Sequence, residues 1–226
     1  MNSKTSPVYV AVEAPDYFPT LSFCCLLCKA DIIEMDLTQQ YSRQCNQNRA
    51  RLRTPDGVQW ITVPLIGRQF GHKISETLID YSDNWPRRHL KALRFNYGSS
   101  PFYEHYIPEI ESLLLSRPET LGELTLATVV LTHKWLRGAG DLEVRESNTS
   151  ALREVKKGSI RLQIHDRYYR PAEGTVCQLT MEIDPYRQNF PGFEAGLSAL
   201  DLMFNYGPAT KGMILEAVSI TSLEDK

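Results

Sequence analysis

Long hydrophobic runs are missing from this chain of 226 residues. No stretch approaches the roughly 18 consecutive apolar residues that cross a bilayer. The opening MNSKTSPVYVAV has no apolar core of the length a secretion signal carries. Both absences predict a cytoplasmic protein with no membrane insertion. A basic excess is missing as well: the formal net charge is −2, which argues against a protein dedicated to nucleic acid. Metal-ligand spacing is also lacking. His72, His105, His133 and His165 stand in no pattern that a metal uses, so no metal and no cofactor is expected. Cys25-x-x-Cys28 has a suggestive spacing, but no second Cys or His pair follows it. It reads as small apolar residues packing one helix face in a reducing compartment. The loop from Gly67 to Lys73 fails as a phosphate loop, because three residues separate its glycines where four are needed, and Ile74 follows the lysine. No internal repeat is present.

What the chain has is apolar content of 42% and charge of 23%, the balance of a globular protein with one substantial core. Val8 to Val12 is a short β-branched run that predicts a buried strand. Pro15 to Pro19 is a loop, Leu21 to Lys29 a buried helix and Asp31 to Asp36 a second strand. That opening favours an α/β fold whose first loop leaves a strand at its carboxyl end, where such folds bind ligands. A further strand is predicted over Ile74 to Asp80. Helices are predicted over Trp85–Tyr97, with His89 at the border of core and surface, over Thr120–Leu136 after a capping box, and over Phe193–Tyr206. Between Tyr97 and Thr120 another helix is expected to restart at Pro108. Residues 138–158 read as a polar connector with a helical piece from Thr149 to Lys156. Ile160 to Ile164 and Val176 to Ile183 are strands. The expected whole is a single α/β domain over residues 1–226, with a mixed sheet and packed helices.

The most informative stretch is YSRQCNQNRARLRTPDGVQWITVP, from Tyr41 to Pro64. Arg49, Arg51 and Arg53 alternate with Ala50 and Leu52, so one strand presents three guanidiniums on a single face. Pro55-Asp56-Gly57 is turn chemistry, and Val58 to Val63 is the returning strand of a hairpin. Tyr41, Ser42, Asn46, Gln47 and Asn48 form a dense polar set just before it. Burial explains none of them, so the stretch is a candidate binding floor. Arg49 and Arg51 suit an anionic ligand, since guanidinium binds phosphate in bidentate fashion; the bland alternative is a solvated, guarded edge. The helix from Phe193 carries Ser198, Asp201 and Asn205 on one polar line, and Asp201 there needs a partner. That partner is either His89, which it would orient, or Arg49, or a structural ion pair.

These pieces resemble the WbqC-like family, bacterial proteins associated with O-antigen and other surface-polysaccharide biosynthesis. The resemblance rests on Pro15-x-Tyr17-Phe18-Pro19, Gln40-Tyr41-Ser42, Asn48-Arg49-x-Arg51, Gln59-Trp60-x-Thr62-Val63-Pro64, Trp85-x-x-x-His89-Leu90-Lys91, Tyr186-x-Gln188 and Leu197-Ser198-x-Leu200-Asp201-x-x-Phe204-Asn205-x-Gly207, all in family order. Two features depart from it. Glu13-Ala14 stands where the family carries Gln or His-Gln, and an insert before Tyr186 is reduced. The resemblance implies an acyl or aminoacyl transferase acting on a nucleotide-linked amino sugar or similar small molecule. His89 would be its general base, assisted by Asp201. Tyr17, Tyr41, Asn48, Arg49, Arg51, Trp60, Ser198 and Asn205 would bind substrate. Two alternatives stay open: a relative that binds a ligand or partner without catalysis, and a thiol-dependent hydrolase using Cys45 and His89.

Overall fold

The computed structural model describes residues 8–67, 71–138, 143–146, 160–164 and 176–223. In chain order the elements are β1 (Tyr9–Glu13), α1 (Leu21–Lys29), β2 (Ile32–Met35), β3 (Arg49–Thr54), β4 (Gly57–Thr62), α2 (Trp85–Tyr97), α3 (Tyr103–Leu115), α4 (Leu121–Arg137), β5 (Glu143–Glu146), β6 (Ile160–Ile164), β7 (Val176–Met181), α5 (Ala199–Tyr206), α6 (Thr210–Ala217) and β8 (Val218–Leu223). Six strands form one mixed sheet in the order β5-β2-β1-β6-β7-β8, parallel except for β8. The hairpin β3-β4 is a separate two-stranded sheet. Its inner residues Ala50, Leu52, Ile61 and Val63 join the same buried cluster as Ala11 and Ile33 of the large sheet. One core therefore serves both sheets, and the α/β reading holds.

Local chemistry accounts for most of these elements. The run before Glu13 is apolar and β-branched, as a strand covered on both faces must be. Thr20 caps α1 by accepting from the Phe23 N–H at 3.3 Å. Thr120 and Glu123 form the expected capping box on α4. Gly57, at φ +117, makes the hairpin turn that the Pro-Asp-Gly sequence predicts.

Four expectations are corrected. Ile74–Asp80 is not a strand: Ile74–Glu76 is a 3₁₀ turn, and the main chain beyond it bonds several segments in turn, with Ile79 N–H donating to Glu119 and Asp80 N–H to Pro64. Pro108 does not restart α3, which runs through it. The carbonyl that loses its partner belongs to Glu104, an exposed residue, so water can satisfy it. The last long helix starts at Ala199 rather than Phe193, because Ser198 takes the cap, accepting from Leu200 N–H at 3.3 Å. The residues before it are held in an irregular path by Gln188, which bonds the Glu194 main chain twice. His89 lies inside the core instead of at its border, only 4% exposed. Within the connector, Glu143–Glu146 is an edge strand; Thr149 to Lys156 lies outside the described residues.

Candidate functional site at the open end of the hairpin

In the hairpin register Arg49 faces Thr62, Arg51 faces Trp60 and Arg53 faces Val58. Directly opposed residues share a face, so the three arginines lie alongside Trp60 and Thr62. The Arg49 guanidinium sits 4.4 Å from the centre of the Trp60 ring system, and that of Arg51 5.7 Å. At the open end of the hairpin this face leads into a cleft of about 340 Å³. Tyr41 and Arg43 line one side and Asn48 and Arg49 the start of β3. Thr62 to Leu65, with Gly67, complete it. Residues beyond β4 return to the cleft because Tyr41 N–H donates to His72 carbonyl at 2.8 Å.

The electrostatics are one-sided. Among the described residues, the side chains of Arg43, Arg49 and Arg51 make no ion pair and no hydrogen bond. The Nε atoms of Arg49 and Arg51 are buried without a partner. Burial pushes the Tyr41 phenol up, and the charges of Arg43 and Arg49 pull it back, so both cations act on this wall. Asn48 is tied down twice to Val63. Val63 N–H donates to the Asn48 carbonyl at 2.7 Å, and Asn48 Nδ2 donates to the Val63 carbonyl at 3.1 Å.

Behind the cleft wall stand Tyr17 and His89. The Tyr17 hydroxyl and His89 Nδ1 are 2.9 Å apart, and Trp85 packs on the His89 ring at 4.9 Å. Burial drives the imidazole down to about 4, partly offset by a hydrogen bond to the Thr62 backbone. His89 is therefore neutral near pH 7. The Tyr17 phenol, pushed well up by burial, stays protonated, so it donates to Nδ1 and leaves Nε2–H for the Thr62 carbonyl. Thr62 is thus the partition between His89 and the cleft. His89 does not line the cleft, and its only lone pair in the ring plane is occupied.

The third group sits at the closed end of the hairpin. Arg53 is 3% exposed and fully engaged. Nε donates to Gln188 Oε1 at 3.2 Å, Nη2 to the Pro191 carbonyl at 2.5 Å and Nη1 to the Gly57 carbonyl at 3.0 Å and to that of Thr54. Gln188 Nε2 in turn donates to Asp201 Oδ2 at 3.2 Å, and the Tyr186 hydroxyl donates to the same oxygen at 2.7 Å. Burial raises the Asp201 carboxyl, against the pull of Tyr186, Tyr97, Gln188 and Arg53. Ser198 donates its hydroxyl to the Phe18 carbonyl at 3.0 Å and its N–H to that of Arg51 at 2.9 Å. Asn205 bonds the Asp201 carbonyl at 2.8 Å. Residues 186–198 are thus a strap over the arginine face.

The expected convergence on one pocket is corrected accordingly. Tyr41, Asn48 and Arg49 line the cleft; Arg51 and Trp60 adjoin it on the same face. Tyr17 and His89 lie behind it, while Ser198, Asp201 and Asn205 belong to the strap. Asp201 orients neither His89 nor Arg49, since its partners are Tyr186 and Gln188. Cys45 is exposed but no hydrogen bond joins it to His89, so the thiol-hydrolase reading lacks its base. Arg43, Thr62 and Leu65 were not singled out by their residue patterns. Arg43 had a signal, two positions from Tyr41 in the polar set. Among the described residues no cluster of metal-ligating side chains occurs, and no helix is long and apolar enough to cross a membrane.

A profile of the WbqC-like protein family matches residues 14–168. The chain is 29% identical over 219 residues to a protein of Mycobacterium tuberculosis described as uncharacterized protein Rv1507c, with 88% of this chain and 94% of that one covered. No solved structure matches.

Proposed function

This chain belongs to the WbqC-like protein family, and we propose that it acts in the cytoplasm as a transferase on a nucleotide-linked amino sugar, or a similar phosphorylated small molecule, in surface-polysaccharide biosynthesis. One observation carries the reading. Arg43 and Arg49 line a cleft that Arg51 adjoins, and none of the three has an acidic partner among the described residues. Three guanidiniums held together repel one another unless an anion joins them, and bidentate phosphate contacts supply that anion. Trp60, 44% exposed beside them, offers an apolar face for a sugar or base. The acyl or aminoacyl transfer step comes from the family resemblance.

A second reading, binding without turnover, is favoured by two observations. His89 is a weak, enclosed base. Ala14, at the position where the family carries a polar side chain, belongs to one small buried apolar cluster with Tyr41 of the cleft wall.

Thermal unfolding with added ligand tests the anionic reading. Nucleotide sugars are expected to raise the melting temperature, by the equivalent of about 2.7 kcal/mol at a hundredfold excess over Kd. Unphosphorylated sugars should have no effect, and Arg49→Ala should abolish the shift. Equal stabilisation by both sugar types, or by neither up to millimolar concentration, would show that the cleft is no phosphate site. Turnover of an amine acceptor then separates transferase from binder.

A further inference from the structure

We infer that Asn48 is a specificity-determining residue, whose side-chain oxygen accepts a hydrogen bond from a free hydroxyl or amino group on the sugar part of the ligand. The inference rests on the cleft being an anionic-sugar site and says which neutral group the site reads beside the anion. It starts from the orientation of one amide. Asn48 Nδ2 donates to the Val63 carbonyl, and Val63 N–H returns a bond to the Asn48 carbonyl. A carbonyl oxygen cannot accept from another oxygen, so the amide has one permitted orientation and Oδ1 faces away from Val63.

Oδ1 has no hydrogen-bond partner among the described residues, although Asn48 is only 8% exposed and lines the cleft. The atom itself opens on the cleft, where water holds it in the free protein. A ligand that fills the cleft must replace that water with a donor of its own or leave the acceptor unpaired. None of the neighbouring side chains in the cleft is an obligate acceptor. The guanidiniums of Arg43 and Arg49 only donate, and the hydroxyls of Tyr41 and Thr62 rotate to donate or accept. Among the described residues, Asn48 Oδ1 is thus the one side-chain atom of the cleft that accepts and never donates.

The division of labour follows. Cations hold the phosphate, which nearly any phosphorylated metabolite carries, and Asn48 demands a donor at one place on the sugar. A ligand whose hydroxyl or amine there is methylated fully or deleted displaces the water from the acceptor without pairing it. Sites built to pair a buried polar group reject such analogues far more strongly than apolar pockets reject a missing methylene.

The test is titration calorimetry of the whole chain with inorganic phosphate and with glucose 1-phosphate. Wild type is expected to bind glucose 1-phosphate at least about tenfold more tightly than phosphate. Asn48→Leu should erase that gap while keeping phosphate affinity. The inference is overturned if the gap survives in Asn48→Leu, or if wild type shows no gap. Phosphate binding that Arg49→Ala weakens would then still leave the anionic site standing, whereas no binding of either probe removes both. A second measurement needs no variant: across the monodeoxy glucose 1-phosphates, affinity for wild type should collapse at one ring position. Uniform affinity across that series also overturns the inference.

Discussion

Arg49 and Arg53 are the same residue type on the same face of one six-residue strand, four positions apart, and they have opposite fates. Arg53 donates to four acceptors under the strap and is sealed from water. The Arg49 side chain makes no hydrogen bond or ion pair among the described residues and faces a cleft. A buried, saturated guanidinium joins segments, whereas an unsaturated one at a cavity is available to a ligand. The same contrast separates the carboxylate and the imidazole. Asp201 is enclosed by donors that serve the strap, and His89 by a tyrosine that serves the cleft wall.

Arg53→Ala should break this contrast most heavily. It removes four charge-assisted hydrogen bonds, two of which tie the hairpin to the strap, and empties the space of a buried side chain. In urea unfolding a loss of about 3–5 kcal/mol is expected. A loss below about 1 kcal/mol would mean that the strap holds without it.

The next effect is read through pH. The folded value of His89, about 4, lies below the ordinary 6.5. Its contribution is therefore complete above pH 6.5 and is lost as pH falls towards 4, by about 3 kcal/mol at 1.36 kcal/mol per unit. His89→Gln should flatten that part of the profile. Asp201 has the reverse sign, because its folded value is raised. Its contribution is complete below the ordinary carboxylate range and is lost as pH rises, so Asp201→Asn should gain on wild type between acid and neutral pH. Parallel profiles for wild type and both variants would contradict these assignments.

Gly196→Ala probes the boundary between the two regions. Gly196 has φ +70, and an added Cβ would meet Arg51 Nη1 at 2.8 Å. A side chain there strains the backbone by about 1–2 kcal/mol and displaces the guanidinium beside Trp60. Melting should fall modestly and any nucleotide-sugar shift should shrink; an unchanged ligand shift would separate Arg51 from the site. Arg49→Ala should cost least in stability, about 0.5–1 kcal/mol for the lost Trp60 contact, while removing the most ligand response. A large loss of stability there would make Arg49 a second structural arginine.

Much of the fold was legible because its signals are short-range. The Thr120 capping box, the Pro55–Gly57 turn and the apolar run of β1 each depend on neighbours in sequence. The Ile74–Asp80 segment misled because alternation alone does not show whether one partner strand runs beside it. The Phe193 helix misled because its apolar periodicity continues upstream of the Ser198 cap.

By itself, the sequence determined the family, the α/β class, the hairpin and the polar set at its mouth. Side-chain alternation and turn stereochemistry follow from the order of residues alone. Only the tertiary structure decided which arginine is a clamp and which is free, that Thr62 stands between His89 and the cleft, and that Asp201 pairs within the strap. Those outcomes depend on separate elements packing together, and the clamp and the strap depend on segments more than a hundred residues apart in sequence. Arg53 meets Gln188 at a separation of 135 residues, and Ser198 meets Phe18 at 180. Burial and hydrogen-bond saturation are properties of that packing, and no local pattern encodes them.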